Sequence, residues 1–231
     1  MTGQNGNGGN GSAGTNIAYV AGTVHANYGL KEIGESQAKK TELTVSAPNG
    51  RGGSTPVYVE AWGAMADAAA AIERGTRVQI AGEIRTDEWG PDDAQNRKLM
   101  VNVEETEGHE IAVADGDDIN QAHVHGEVAW AGDLEEITWK SKTDGEPRRL
   151  DKRRLFVAVE KTSPTGKSIR PTVPIEILGD AAAKDYPTGT RVEVSGLVIN
   201  EMVPGGDGEG DKNRYFATVS VSGEGTSISA V

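Results

Sequence analysis

The sequence predicts an all-β protein of two tandem five-stranded barrels, each with one short helix between strands 3 and 4. Three observations predict this fold. The chain repeats itself with a period of about a hundred residues, and most of each repeat alternates between apolar and polar residues. Its 31 glycines and 9 prolines are typical of many tight turns. With 231 residues, the chain is long enough for two such barrels, each with its own core.

Four pairs of segments recur in the same order in the two halves, at offsets of 104, 116, 114 and 117 residues. The pairs are Asn16–Val24 with Asn120–Val128, Val57–Gly63 with Val173–Gly179, Gly75–Val78 with Gly189–Val192, and Asn96–Arg97 with Asn213–Arg214. Offsets that drift slowly are what loop insertions produce in a duplicated unit. The repeat is therefore one barrel long and is not a short-period solenoid.

The elements of the first repeat follow from its periodicity. Apolar residues at every second position predict the third and fourth strands: Val57, Val59 and Ala61, then Val78, Ile80 and Ile84. Between these strands a stripe with helical spacing predicts an amphipathic helix: Met65, Ala68, Ala69 and Ile72. In the second repeat this helix shortens to about 180–185, ahead of Pro187.

Five short strands with one helix after the third is the plan of the OB-fold barrel. We therefore expect a Gly/Asn-rich tail over 1–15, an OB-fold domain over 16–110 and an acidic linker over 111–119. A second OB-fold domain over 120–223 and a flexible C-terminus over 224–231 complete the predicted organisation.

Composition excludes several classes of protein. The net charge of −12 argues against a uniformly cationic protein that coats duplex DNA. No apolar run approaches the ~18 residues of a membrane span, no signal peptide is present, and the absence of cysteine excludes disulfides. No motif predicts a catalytic, cofactor or metal site, so we expect a non-enzymatic protein of the cytoplasm, in a bacterium or a phage-infected cell.

Strand parity predicts a binding face. If Val57 and Val59 point into the barrel, Tyr58 and Trp62 lie on its outer face. On the fourth strand the same alternation places Arg77 and Arg85 on the outside, and Trp89 follows just beyond Arg85. Exposed indoles near guanidinium groups suit stacking on nucleic-acid bases, at ~1–3 kcal/mol per base. The alternative is that both tryptophans cover an interface with the other unit or another subunit.

Over residues 16–105 the first unit resembles the bacterial single-stranded DNA-binding proteins. The resemblance rests on four segments: Asn16–Gly22, Val57–Gly63, Gly75–Trp89 and Asn96–Arg97. In that family, aromatic residues at the positions of Trp62 and Trp89 stack on DNA bases, and the resemblance implies this role here. Basic residues are common in the family where this chain has Asp87 and Glu88. The family's acidic tail with a terminal Phe has no match in the last residues, so recruitment of replication or recombination proteins through such a tail is not expected.

The second unit keeps the fold pattern but has Leu178 in the place of Trp62. Its distinguishing feature is a cluster of cations beside one aromatic residue: Trp139, Lys140, Lys142, Arg148, Arg149, Lys152, Arg153 and Arg154. Such a loop would follow a phosphate backbone. The alternative is a solvated hairpin whose cations offset the acids around it.

These observations favour a tandem OB-fold protein that binds and protects single-stranded DNA without strong sequence preference, during replication, recombination or repair. Two barrels per chain suggest a homodimer, and the acidic Gly- and Ala-rich composition suggests a phage or mobile element. Two alternatives stay open: an OB-fold protein-interaction scaffold, and a binder of single-stranded RNA. Because neither unit is cationic overall, we expect a shallow salt dependence of binding.

Overall fold

The computed structural model describes residues 14–90, 96–141, 143–163, 165–203 and 214–231. The first unit contains β1 (Thr15–Ile33), β2 (Ala38–Pro48), β3 (Ser54–Trp62), α1 (Ala64–Ala70), β4 (Arg77–Trp89), β5 (Asn96–Val103) and β6 (Glu110–Val113). The second unit contains β7 (Ile119–Ala131), β8 (Glu135–Lys140), β9 (Pro147–Ala158), β10 (Lys161–Thr162), β11 (Ser168–Ile169), β12 (Thr172–Leu178), a 3-10 helix (Asp180–Ala183), β13 (Arg191–Val203), β14 (Arg214–Val221) and β15 (Ser227–Ala230).

Each unit closes into a five-stranded barrel. The strand order is β1-β2-β3-β5-β4 in the first unit, where β4 pairs back onto β1, and β7-β9-β12-β14-β13 in the second, where β13 pairs back onto β7. The third and fifth barrel strands are parallel in both units. Apolar side chains fill both interiors, among them Leu43 and Ile80 in the first barrel and Leu155 and Ile175 in the second. The predicted tandem OB-fold architecture is confirmed.

Two glycines in each unit lie where neighbouring strands approach too closely for a side chain. A Cβ atom on Gly22 would lie 2.1 Å from the carbonyl oxygen of Ser46, and one on Gly126 would lie 2.3 Å from that of Ala158. The same crowding recurs at the equivalent pair Gly82 and Gly196. The duplicated glycines are therefore required by close backbone approach.

The fifth barrel strands of the two units, β5 and β14, are equivalent at a sequence offset that differs from the predicted one. Ile84 pairs with Val101 in the first unit, and Val198 pairs with Val219 in the second. Because 84 and 198 are equivalent at offset 114, residues 101 and 219 are equivalent at 118 rather than 117. The Asn-Arg dipeptide therefore recurs one residue out of structural register, and the predicted equivalence at this strand is wrong by one position.

The two barrels are joined by an antiparallel pairing of their first strands, β1 and β7. This pairing is centred on Ala18 opposite Ala122, which are equivalent residues at offset 104. A local two-fold axis therefore passes between the units and makes one continuous sheet in the order β6-β4-β1-β7-β13-β15.

A second inter-unit contact is a buried hydrogen-bond network around Asn200 of β13. Its Nδ2 donates to the carbonyl oxygens of Leu99 and Pro56, both at 3.2 Å, and its Oδ1 accepts from the Leu99 N–H at 2.9 Å. The Thr55 hydroxyl donates to the Asn200 carbonyl oxygen at 3.1 Å. The side chain of Asn200, in the second unit, thus pairs with backbone N–H and C=O groups of strands in the first unit.

The structure differs from several predicted boundaries. Residues 110–113 of the first unit pair with β4, with Ile111 buried, so the predicted linker over 111–119 begins with a strand. Residues 227–230 pair with β13, with Ile228 buried, within the predicted flexible C-terminus. Burial of these isoleucines orders both segments. Of the predicted tail over 1–15, residues 1–13 lie outside the described residues, and Thr15 belongs to β1.

The short helix of the first unit is present, but its buried face differs from the predicted stripe. Helix α1 buries Ala66 and Ala69, whereas Ala68 is exposed and Ile72 is buried beyond the end of the helix. In the second unit the helix is a single 3-10 turn over Asp180–Ala183. Among the residues described, no helix is long and apolar enough to cross a membrane.

Candidate nucleic-acid interface

Strand β3 has the predicted parity. Val57 and Val59 are at most 1% exposed inside the barrel, and Tyr58 and Trp62 lie on the outer face and are half-buried. On β4, Arg85 lies on the same outer face, opposite Met100 of β5. These residues are therefore part of one surface, as the alternation predicts.

The indole ring of Trp62 is partly covered by other side chains of the protein. The Lys40 ammonium lies 5.3 Å from the centroid of its ring, and its Nε1 atom is buried without a hydrogen-bond partner. Lys40 itself pairs with the carboxylates of Glu60 and Glu42. One face of the indole is thus occupied by a cation that the protein supplies.

Trp89 is far from Trp62. Ala61 pairs with Val103 of β5, whereas Trp89 pairs with Asn96, so the two indoles are about eight residues apart along this strand, or roughly 27 Å. Trp89 is 40% exposed. Its neighbour belongs to the second unit, because the ring of Tyr215 lies 5.7 Å away, centroid to centroid.

A groove of about 1110 Å³ lies on the outer face of the second barrel, and we name it the inter-unit groove. Strands β9, β12, β13 and β14 form its floor, and Arg51 and Arg97 of the first unit close one side. Its aromatic lining is Trp139, Phe156, Tyr215 and Phe216. An open groove with aromatic walls suits unpaired bases.

Aromatic side chains continue from the groove into both units. Phe156 packs between the guanidinium of Arg97, 4.7 Å from its ring centroid, and the ring of Trp130, 5.5 Å away. Tyr215 joins the groove to Trp89, and its backbone N–H donates to the Asn96 side chain at 3.0 Å. These aromatic side chains therefore belong to both units, because β5 of the first unit contacts β14 of the second.

Among the residues that the structure describes, four cations line the groove against two carboxylates: Arg51, Arg97, Lys152 and Arg154 against Glu176 and Glu201. Most of their ion pairs are loose, at 3.5 to 4.0 Å between nitrogen and oxygen. Arg97 is the exception, since it lies 2.5 Å from Glu88. Loose, partly exposed pairs are weak and exchange readily for another anion.

The predicted cation cluster is divided between two surfaces. Lys152 and Arg154 line the groove, and Arg148 lies on the same side because it is directly opposite Trp139 in the hairpin of β8 and β9. The alternation turns the other members, Lys140, Arg149 and Arg153, to the opposite side. Lys142 lies outside the described residues.

Some members of this cluster already have protein partners. The Arg153 Nε donates to the carbonyl oxygen of Ala182 at 2.9 Å. Arg149 is 3.6 Å from Glu136, and Arg148 is 2.6 Å from Asp144. The cations that are clustered in the sequence therefore do not form one continuous patch.

Arg77 and Arg85 also have partners. Arg77 lies at the far end of β4 from Trp89, and its guanidinium binds the Asp118 carboxylate and the Asp117 carbonyl oxygen. Arg85 remains on the outer face, 2.8 Å from Glu104. Of the two arginines, the structure places Arg85 on the face with Tyr58 and places Arg77 away from it.

Tyr58 lies in a small cavity of about 130 Å³ on the first unit, together with Tyr28, Lys98 and Met100. The Lys98 ammonium is 4.5 Å from the Tyr58 ring centroid. Burial, reinforced by the nearby Tyr215 and Tyr28 phenols, raises the pKa of Tyr58 above its ordinary value. Its phenol therefore stays neutral and able to donate a hydrogen bond.

The sequence analysis missed Phe156, Tyr215, Phe216 and Trp130. For Phe156 a signal existed, because it continues the alternation of Lys152 and Arg154 along β9. No comparable pattern marks Tyr215, whose contact with Trp89 joins residues 126 positions apart in the chain.

Solved structures with the same architecture include the single-stranded DNA binding protein from Thermus aquaticus. The wild-type protein aligns with a TM-score of 0.62 at 16% identity, covering 95% of this chain and 94% of that one. A deletion mutant of it aligns with a TM-score of 0.61 at 16% identity, covering 95% of each chain. No family model and no curated protein matches the sequence. At this identity the likeness concerns the fold, and in that respect the predicted resemblance is confirmed: the chain has the tandem OB-fold architecture of these proteins.

Proposed function

We propose that this chain binds single-stranded DNA without strong sequence preference and without catalysis. The observation that carries the proposal is the inter-unit groove, in which aromatic rings and guanidinium groups line one open surface of about 1110 Å³. Bases stack on aromatic rings whatever their identity, and phosphates are attracted by the cations. The shared architecture with a protein named for single-stranded DNA binding supports the same function.

In this proposal Phe216, Trp139 and Tyr215 stack bases inside the groove, and Trp89 extends the path onto the first unit. Trp62 contacts a distant part of the strand and contributes less, because Lys40 covers its ring. Lys152, Arg154 and Arg97 neutralise phosphates. The strands bound would be those exposed during replication, recombination or repair.

A titration with oligo-dT tests this function, with intrinsic tryptophan fluorescence as the readout. Phe216 is 43% exposed in the groove, so Phe216→Ala is expected to weaken binding about 5- to 100-fold with little effect on folding. Phe216→Tyr keeps the aromatic ring and is the matched control, expected to bind like the wild type. Absence of binding at low salt would refute the function and favour a protein-interaction scaffold. Stronger competition by oligo-U would redirect the proposal to RNA.

We also propose that the chain forms a homodimer. The continuous sheet between the barrels exposes apolar side chains on its outer face, including Tyr19 at 40% and Ile119 at 42%. Because a local two-fold axis passes through this sheet, its surface suits an isologous contact with a second copy. Sedimentation at micromolar concentration is expected to give a dimer that Ile119→Asp dissociates. A wild-type monomer would refute this proposal.

A further inference from the structure

Glu176 lines the inter-unit groove and pairs with both cations of β9 that line it, Lys152 and Arg154. It is directly opposite Arg154 in the pairing of β9 and β12, and its carboxylate lies 3.6 Å from the Arg154 Nε and 3.5 Å from the Lys152 Nζ. The Lys152 side chain is 13% exposed, and its other partner is Glu135 of β8 at 3.7 Å. Within the described part of the chain, Glu176 is thus the one carboxylate that both cations share.

The first unit has the same arrangement with one charge reversed. Lys40 and Glu60 are the equivalents of Lys152 and Glu176, but Glu42 stands where the second unit has Arg154. At these three positions the first unit therefore carries one cation and two carboxylates. The Lys40–Glu42 pair closes to 3.1 Å, and Glu42 also pairs with Lys31 at 3.0 Å. At the same three positions the second unit carries two cations and one carboxylate, with wider pairs.

We infer that Glu176 limits the affinity of the groove for nucleic-acid phosphate by occupying Lys152 and Arg154 when the groove is empty. This inference rests on the proposed function. A phosphate approaching these cations must displace the carboxylate or lie beside it, and either event opposes binding. In the second unit Lys152 keeps Glu135 when Glu176 is removed, so the cation that is released is Arg154. In the first unit Glu42 stands in the place of Arg154, and Lys40 keeps that carboxylate when Glu60 is removed.

Glu176 also affects the salt dependence of binding. When a phosphate replaces an intramolecular carboxylate, the protein neutralises less phosphate charge than its cation count suggests, and fewer counterions leave the DNA. Removing Glu176 frees Arg154, whereas Lys152 keeps Glu135. The slope of log K against log salt should then steepen by about 0.7 for each additional phosphate neutralised on a single strand.

The test compares Glu176→Gln with Glu60→Gln by oligo-dT titration over a range of salt concentrations, with thermal melts as a check on folding. Both substitutions raise the net charge by one and occupy equivalent places in the two barrels. We expect E176Q to bind roughly three- to tenfold more tightly than the wild type at low salt, with a steeper slope. E60Q is expected to change both quantities much less.

An equal gain in both variants would mean a general charge effect and would overturn the inference, as would unchanged binding by E176Q. In either case a wild type that still binds oligo-dT leaves the proposed function intact, whereas a wild type that does not bind refutes that function itself. If E176Q melts abnormally, Glu176→Asp serves instead, because its shorter side chain holds the same charge farther from Lys152 and Arg154. It is expected to tighten binding about two- to threefold at low salt, and unchanged affinity would again overturn the inference.

Discussion

Through Asn200 the second barrel completes backbone hydrogen bonds of the first, so Asn200→Ala should separate inter-unit stability from barrel stability. The substitution removes three side-chain hydrogen bonds, one from the Leu99 N–H and two to the carbonyl oxygens of Leu99 and Pro56. At about 1 kcal/mol net for each bond, the expected loss is about 3 kcal/mol. For a chain of this size the melting temperature should fall by about 6–12 °C.

The assay is thermal or urea unfolding, with Asn16→Ala as the control. Asn16 makes one side-chain hydrogen bond, to the carbonyl oxygen of Ile84 at 2.7 Å inside its own barrel, so its loss should cost about 1 kcal/mol. Because Leu99 and Arg97 lie on the same strand, N200A should also weaken oligo-dT binding by disturbing the edge of the groove. Equal destabilisation by N200A and N16A would refute the reasoning.

Three further predictions concern single side chains. Trp89→Ala should weaken oligo-dT binding more than Trp62→Ala in the same titration, because Trp89 adjoins Tyr215 at the groove and Lys40 covers Trp62; the reverse order would contradict the proposed path. Gly22→Ala and Gly126→Ala should each destabilise the protein by about 3 kcal/mol in urea unfolding, since both place a Cβ atom against a carbonyl oxygen, and a neutral effect of either would contradict the close approach. Burial lowers the pKa of His109, whose Nδ1 accepts the Glu104 N–H at 3.1 Å. Its stabilising effect should be complete above the unfolded value of about 6.5 and be lost as pH falls through the folded pKa. An NMR titration of its imidazole at or above the ordinary value would contradict this prediction.

The arrangement of the cations shows how far alternation along the chain can be trusted. The seven cations between 140 and 154 form one block in the sequence. In a strand, however, neighbours face opposite sides, and the hairpin register turns Arg149 away from the groove while Lys152 lines it. The sequence predicts which residues of one strand share a side. It does not predict which strands pair, and therefore which of the two sides lines the groove.

The sequence by itself determined the duplication, the two barrels and the outward face of Tyr58 and Trp62, because period-two alternation and repeated glycines are local signals. Only the tertiary structure decided where the concave surface lies. The groove is formed by contacts such as Arg97 with Phe156 and Trp89 with Tyr215, between residues of different units. These contacts depend on how the two barrels pack together, through the pairing of β1 with β7 and through buried hydrogen bonds such as those of Asn200. No local pattern of the sequence encodes that packing.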